Sequence, residues 1–187
     1  MKDALRKVAF AARRVAHRAQ DGASQDVAAA NAHLARLLQG FGAAPLAGYM
    51  PIRTEIDPVP AMSGYSGPVA VPVIVAAGAP LVFHLWQPDM DMQPGPFGAK
   101  VPQVAQEITP QVLIVPLVAF DRHGYRLGYG GGFYDRTLQQ LRRMGPVTAI
   151  GFAYAAQQVS QVPIEPTDQP LDLIVTENGL ITPLTAP

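Results

Sequence analysis

From residue 2 to residue 20, apolar side chains recur at Leu5, Val8, Ala12, Val15, Ala16 and Ala19, the spacing of one face of a helix. Gly22 ends that helix. Ser24 offers an N-cap for a second, running to about Gln39 with Val27, Leu34, Leu37 and Leu38 along its apolar side and Gly40 as its stop. Residues 46–50 predict a short strand halted by Pro51, and the apolar runs 69–76 and 81–86 predict two more, joined by a turn at Gly78 and Pro80. Residues 87–110 are dense in proline and predict a long irregular segment, of the sort that carries function or moves. The most apolar run of the chain, 112–120, predicts a strand buried on both faces, hence parallel and central. A glycine-rich turn follows, then a helix to about Met144, a strand at 147–152 and a last short strand at 171–176. Strands alternating with helices predict a layered α/β fold on a mostly parallel sheet. At 187 residues the chain fits one domain spanning 1–187.

Composition narrows the function. Hydrophobic residues make up 49% and charged residues 15%, enough apolar surface to bury a core. Lys+Arg and Asp+Glu both number 14, so net charge is zero and gives no bulk attraction to nucleic acid or a membrane surface. There is no cysteine, which removes disulfides and thiolate chemistry. Charges recur every few residues at the N-terminus, unlike a signal peptide, and no stretch approaches the roughly 18 apolar residues of a membrane span. The expected setting is the cytoplasm. Seven of the 14 basic residues nevertheless lie in the first 36 positions. On a helical wheel Lys2, Arg6 and Arg13 fall within roughly 40° of one another, about 100° from the apolar stripe, while Lys7, Arg14 and Arg18 point to water. Such a helix packs its stripe and presents one cationic edge to a neighbouring cleft, where arginine forks suit phosphate oxygens.

The segment FDRHGYRLGYGGGFYDR (residues 120–136) places five glycines in nine residues: Gly124, Gly128, Gly130, Gly131 and Gly132. It follows the buried strand and precedes a helix, where bare N–H groups and the helix dipole favour an anion. Arg122, Arg126 and Arg136 bracket the glycines, and Tyr125, Tyr129, Phe133 and Tyr134 interleave them, unlike a flexible linker. Neither standard phosphate motif fits. A P-loop needs Lys-Ser/Thr after its last glycine, and the dinucleotide fingerprint needs its spacing after the first strand. Spacing alone therefore stops at a phosphate-binding α/β enzyme. Asp135, at the start of the following helix, suits either the helix dipole or a Mg²⁺ ion beside bound phosphates.

The run PLVAFDRHGYRLGYGGGFYDRTL resembles the signature of the 5-formyltetrahydrofolate cyclo-ligase (5,10-methenyltetrahydrofolate synthetase) family. KDALR at residues 2–6, YMPIRTEID at 49–57, PLVFHLW at 80–86, AYAAQQV at 153–159 and EPTDQPLDLIVTE at 165–177 extend the likeness along the chain. The resemblance implies a three-layer α/β sandwich related to sugar-phosphate isomerases and CoA transferases. It implies that Lys2 and Arg6 contact ATP, that Asp135 and Asp168 hold Mg²⁺, and that Met50, Glu55 and the Tyr129–Phe133 stretch touch the folate. Asp172 is a near alternative to Asp168, although its place at the start of an apolar strand favours a structural part. Phe97 is the candidate for covering the flat pterin. Trp86 fits packing at the sheet edge, and of the four histidines only His123 neighbours the turn. Two departures stand out: Thr167 occupies the place of a histidine common in relatives, and FGAKVPQV (residues 97–104) replaces a shorter, glutamate-bearing loop.

The implied reaction is ATP plus 5-formyltetrahydrofolate giving 5,10-methenyltetrahydrofolate, ADP and phosphate. In it, Lys2, Arg6 and Arg126 act on the phosphates, with Gly128, Tyr129, Gly130, Gly131, Gly132, Phe133 and Tyr134 cradling the nucleotide. The substrate is a small molecule, with no nucleic acid or membrane partner, and the chain acts as a monomer or weak homodimer. Competing readings are a sugar-phosphate isomerase or CoA-transferase relative on the same layers, and a non-catalytic nucleotide-binding module.

Overall fold

The computed structural model describes residues 2–19 and 25–184. Gly22 and Ser24, expected to punctuate the first two helices, lie outside the described residues. The helices themselves are α1 (Lys2–Ala19) and α2 (Gln25–Gln39), followed by β1 (Leu46–Ala47), a five-residue α3 (Val59–Ser63), β2 (Val69–Val73) and β3 (Val82–Trp86). Next come β4 (Met92–Pro94), β5 (Lys100–Pro102), β6 (Val112–Val115), β7 (Ala119–Phe120), β8 (Arg126–Leu127) and α4 (Phe133–Met144). The chain closes with β9 (Thr148–Phe152), β10 (Leu173–Thr176) and β11 (Gly179–Ile181).

Seven strands form one sheet in the order β11-β10-β9-β6-β1-β2-β3. The pairs from β10 through β2 are parallel, and the two edge strands, β11 and β3, are antiparallel. The apolar run expected to be central is so: β6 lies between β9 and β1, and all four of its residues are buried. Alternation along the strands divides the interior in two. Val112, Ile114, Ile150, Phe152, Val69 and Val71 face one side, where they meet Leu34 and Leu38 of α2. Leu113, Val115, Ala149 and Ala70 face the other and meet Leu138 and Leu141 of α4. Each leucine side chain so buried contributes about 1.5–3 kcal/mol, which is why the helices hold these faces. The result is the expected α/β layering, helix–sheet–helix.

α1 reaches the first core only at its margin, through Ala16. Leu5, Ala9 and Phe10 pack on Val118, Ala119, Leu127 and Val162, against the small β7–β8 hairpin. The apolar stripe read from spacing is therefore corrected: Val8 and Val15 are 67% and 70% exposed, and the buried face centres on Ala9 and Arg13. Lys2, Arg6 and Arg13 lie within that contact face instead of beside it. Other corrections concern short elements. Residues 87–110 are not irregular throughout, because β4 and β5 pair as a hairpin capped by a turn at Pro96–Gly98. The run 112–120 breaks after Val115, and its last two residues form β7, which pairs with β8. Asp121 pins this hairpin, accepting the amides of His123 and Tyr125 on Oδ1 and that of Val162 on Oδ2.

Candidate active site

In an open parallel sheet, ligands bind beyond the carboxyl ends of the strands. Here those ends open on a cleft of ≈ 1040 Å³, walled by the loop after β1, the residues just after β2 and β6, the glycine turn, the tip of the β4–β5 hairpin and residues 163–168. Lys2 and Arg6, from α1, complete it. Lys2, Arg6, Met50, Glu55, Phe97, Arg126, residues 128–134, Asp135 and Asp168 all border this cleft, whereas Arg13 and Asp172, also raised from the sequence, do not.

At one end the geometry suits an anion. Gly130 (φ +105°) and Gly132 (φ +64°) take left-handed conformations that a side chain would strain, and Gly132 opens α4. A Cβ on Gly130 would lie 3.4 Å from an Arg6 guanidinium nitrogen, so glycine there lets the cation close over the turn. Arg6 Nε donates to the carbonyl of Gly128 at 3.0 Å, and its Nη1 meets Asp3 at 2.5 Å. Lys2 Nζ donates to Asp168 Oδ2 at 2.9 Å and lies 3.3 Å from Glu165. The Arg126 side chain is 4% exposed, held by Asp135 Oδ1 at 2.8 Å and by the carbonyl of Gln169. Burial pulls its pKa below the ordinary arginine value, and Asp135 works against that.

Two carboxylates share this end. Asp135 accepts from Arg126 and from the Gln169 amide through Oδ1, while Asp168 accepts from Lys2 and the Glu165 amide through Oδ2. Each aspartate thus makes these bonds through one of its two oxygens. Among the described residues no group of three or more His, Cys, Asp or Glu could hold a metal unaided. Such a pair fits Mg²⁺, which takes one or two carboxylates and completes its octahedron with water and phosphate oxygens. Asp172 is separate, accepting from the Ala149 amide and Arg142, which fixes β9 to the start of β10.

The other end is built around a buried carboxylate. Glu55 is 7% exposed, so it is not the surface glutamate that a loop position would ordinarily give. Its Oε2 accepts the Ile52 amide at 2.9 Å, folding the loop back on itself beside Arg53, a non-glycine residue at φ +56°. Burial pushes the Glu55 pKa above its usual value; the Ile52 amide, the Tyr129 hydroxyl, Arg13 and Arg53 pull it back. Tyr129 packs at 5.4 Å from Phe10, with burial and the nearby Glu55 pushing its own pKa up to about 12. Phe97 is 73% exposed at the hairpin tip, in a left-handed conformation (φ +59°) that turns the chain over the cleft. Between the two ends, the Tyr134 hydroxyl is buried and makes no hydrogen bond among the described residues. Burial holds it protonated, and both Glu55 and Arg126 bear on it, leaving a donor for a ligand.

The helical wheel puts Arg13 on the cationic edge for phosphates, yet its guanidinium lies behind the cleft wall, bonded to Tyr129 and Thr54. Arg122 and His123 are exposed and do not border the cleft, because the β7–β8 turn carries them away from it. Trp86 is buried on edge strand β3, a packing residue as expected. Sequence reasoning passes over Arg53, which also borders the cleft and whose guanidinium lies 5.9 Å from the Tyr129 ring centroid. It names Arg136 only as a bracket; that side chain stacks on Phe133 at 5.3 Å and donates to the Gly131 carbonyl, stiffening the turn.

Residues 1–177 match the model of the 5-formyltetrahydrofolate cyclo-ligase family. A 5-formyltetrahydrofolate cyclo-ligase of Haemophilus influenzae is 44% identical over 101 residues, 51% of this chain and 54% of that protein. The Escherichia coli K12 protein of the same name is 52% identical over 65 residues, 35% of each. The alignments thus span about half and about a third of these relatives' lengths. Among solved structures, a 5,10-methenyltetrahydrofolate synthetase of Aquifex aeolicus superposes with a TM-score of 0.72 at 23% identity, covering 100% of this chain and 94% of its own. One from Mycoplasma pneumoniae gives 0.70 at 25% identity, covering 94% and 98%. With cleft, glycine turn and family model in agreement along the chain, the protein belongs to the 5-formyltetrahydrofolate cyclo-ligase family.

Proposed function

We propose that this chain, acting as a single domain, uses ATP to close 5-formyltetrahydrofolate into 5,10-methenyltetrahydrofolate, releasing ADP and phosphate. One observation carries the reading: a single cleft joins a glycine turn flanked by Lys2, Arg6 and Arg126 to a buried carboxylate, Glu55, flanked by aromatic side chains. A nucleotide and a reduced pterin need those two surroundings within reach of each other.

The chemistry follows from leaving groups. The formyl oxygen of a formamide is a poor one, so direct ring closure is slow. Attack of that oxygen on the γ-phosphorus breaks the bond to ADP and turns the oxygen into part of a phosphate ester. The anilino nitrogen then bonds to the formyl carbon, and the carbon–oxygen bond breaks with its electron pair leaving on phosphate. The proton of the anilino nitrogen departs with the phosphate, so no protein base is required. The protein's work is positioning and charge neutralisation. Lys2 and Arg6 hold the nucleotide's phosphates, Arg126 and the amides of residues 128–132 face the transferred group, and the Tyr134 hydroxyl donates to a substrate oxygen between them. Asp135 and Asp168 would hold Mg²⁺, which when bound offsets charge on the phosphate oxygens. Glu55 accepts the pterin's N–H groups, Met50 and Tyr129 border the ring, and Phe97 covers it.

The reading extends to a monomer or weak homodimer in the cytoplasm; among the described residues no helix is long and apolar enough to cross a membrane. Incubating purified protein with 5-formyltetrahydrofolate, ATP and Mg²⁺ should produce methenyl-folate absorbance in step with ADP. Tight ATP binding with no absorbance change would replace the reading with a non-catalytic nucleotide module.

A further inference from the structure

Arg13 is the largest of the fully buried side chains, 1% exposed, and is absent from the cleft wall. A buried guanidinium persists only where its donors are matched. Its Nη2 donates to the Tyr129 hydroxyl at 2.7 Å, its Nε to Thr54 Oγ1 at 3.1 Å and its Nη1 to the Leu117 carbonyl at 3.4 Å. Nη1 also lies 4.0 Å from Glu55 Oε1. The Phe10 and Tyr129 ring centroids lie 5.2 and 5.4 Å from its central carbon. These partners come from the loop after β1, the residues after β6 and the glycine turn, while Arg13 itself comes from α1. One planar fork therefore ties four stretches of chain together.

We propose that Arg13 is a positioning residue for the folate half-site, fixing the Tyr129 ring and the Glu55 carboxylate in one arrangement from behind the cleft wall. The inference rests on the proposed function, since it assigns Glu55 and Tyr129 to the pterin. Arg13 does not touch substrate. It acts through the hydroxyl it orients and the carboxylate it opposes.

The groups that face Glu55 are Arg13 from α1, Arg53 from its own loop, Tyr129 from the glycine turn, Tyr134 from α4 and Tyr49 beyond β1. Of the two cations, Arg53 is exposed and screened by solvent, whereas Arg13 is buried. Losing the Arg13 charge therefore raises the pH at which Glu55 ionises, and replacing it by another cation does not. A side chain that merely filled space would leave that pH unmoved.

Calorimetric titration of the full chain with 5-formyltetrahydrofolate and, separately, with MgATP across pH tests this without needing turnover. Arg13→Met should weaken 5-formyltetrahydrofolate about tenfold or more, as for loss of a charged hydrogen bond, and shift the acid limb of its affinity to higher pH. MgATP affinity should stay within about twofold, the scatter expected of an uncoupled site. Arg13→Lys should keep the wild-type acid limb yet remain weaker for the folate, because an ammonium lacks the fork that spans Thr54 and Tyr129. Arg14→Ala, exposed on the same helix, should match wild type. Equal losses for both ligands, or an unmoved acid limb in Arg13→Met, would overturn the inference. Should Arg13→Met not fold, Arg13→Lys decides: wild-type folate affinity overturns it, selective weakening upholds it. Failure of the wild type itself to bind 5-formyltetrahydrofolate would instead sink the proposed function.

Discussion

The two ends of the cleft are built on opposite plans. At the proposed phosphate end the working groups are cations, and carboxylates hold them: Asp168 holds Lys2, Asp3 holds Arg6 and Asp135 holds Arg126. At the proposed folate end the working group is a carboxylate, and a cation stands behind it, Arg13 behind Glu55. The depth differs too. Two of the three cations, Lys2 and Arg6, are partly open to water and only Arg126 is buried, whereas Glu55 and Arg13 are both buried. Charge in water is easy to keep and weak to use; charge in the interior is hard to keep and strong to use. A phosphate brings its own large charge and meets flexible, hydrated partners well. A neutral pterin offers N–H donors in place of charge, and on the proposed reading a dehydrated carboxylate makes those bonds selective.

This contrast can be broken at either end. The largest effect should come from Arg126→Ala, which removes a buried cation facing the transferred group: kcat should fall about 100- to 1,000-fold, as for loss of one preorganised donor. Its melting temperature should fall comparatively little, because Asp135 keeps the Gln169 amide and some solvent. Parallel collapse of turnover and stability would make Arg126 a structural residue. At the opposite end, Glu55→Gln should weaken 5-formyltetrahydrofolate about ten- to a hundredfold, with MgATP affinity unchanged.

Glu55→Gln also has a signature in stability. Burial raises the folded-state pKa of Glu55 above its value in the unfolded chain. The folded protein therefore binds the proton more tightly, and this contribution is full below the unfolded pKa and lost as pH rises through the folded one. The Glu55→Gln variant carries no such loss, so its Tm should gain on wild type as pH climbs from about 4.5. A constant difference across pH would contradict the buried carboxylate with a raised pKa.

A smaller change is expected from Lys2→Ala, which gives up one partly exposed phosphate contact: KM for ATP should rise about tenfold with little effect on the folate. Smallest is Phe97→Gly. It relieves a left-handed phenylalanine, so stability should hold or rise by about 0.5–1 kcal/mol, while folate affinity drops a few-fold. Unchanged folate affinity would remove Phe97 from the pterin site.

What is legible in the sequence follows the same division. Long apolar runs announce β6 and β9, and the clustered glycines announce the turn, because each is a dense local signal. The hairpins are invisible since β4 and β5 have three residues each, with a proline at the end of each strand, and β7 and β8 have two. α3, five residues with Pro60 in its first turn, leaves no period to detect. Lys2, Arg6 and Arg13 are legible as one row because a helical wheel gives direction. It does not give reach. Eleven residues separate Lys2 from Arg13, about 16 Å along the axis, so the row's far member serves the opposite end of the cleft. Glu55 is identifiable only by resemblance, since burial of a loop carboxylate depends on what packs over it.

All of this requires the γ-phosphorus and the formyl oxygen to meet in one cleft. Turnover of 5-formyltetrahydrofolate carrying ¹⁸O in its formyl group asks this directly. The label should appear in the released inorganic phosphate, one atom per ring closed. Label recovered in water, with unlabelled phosphate, would mean that the oxygen never met the nucleotide there.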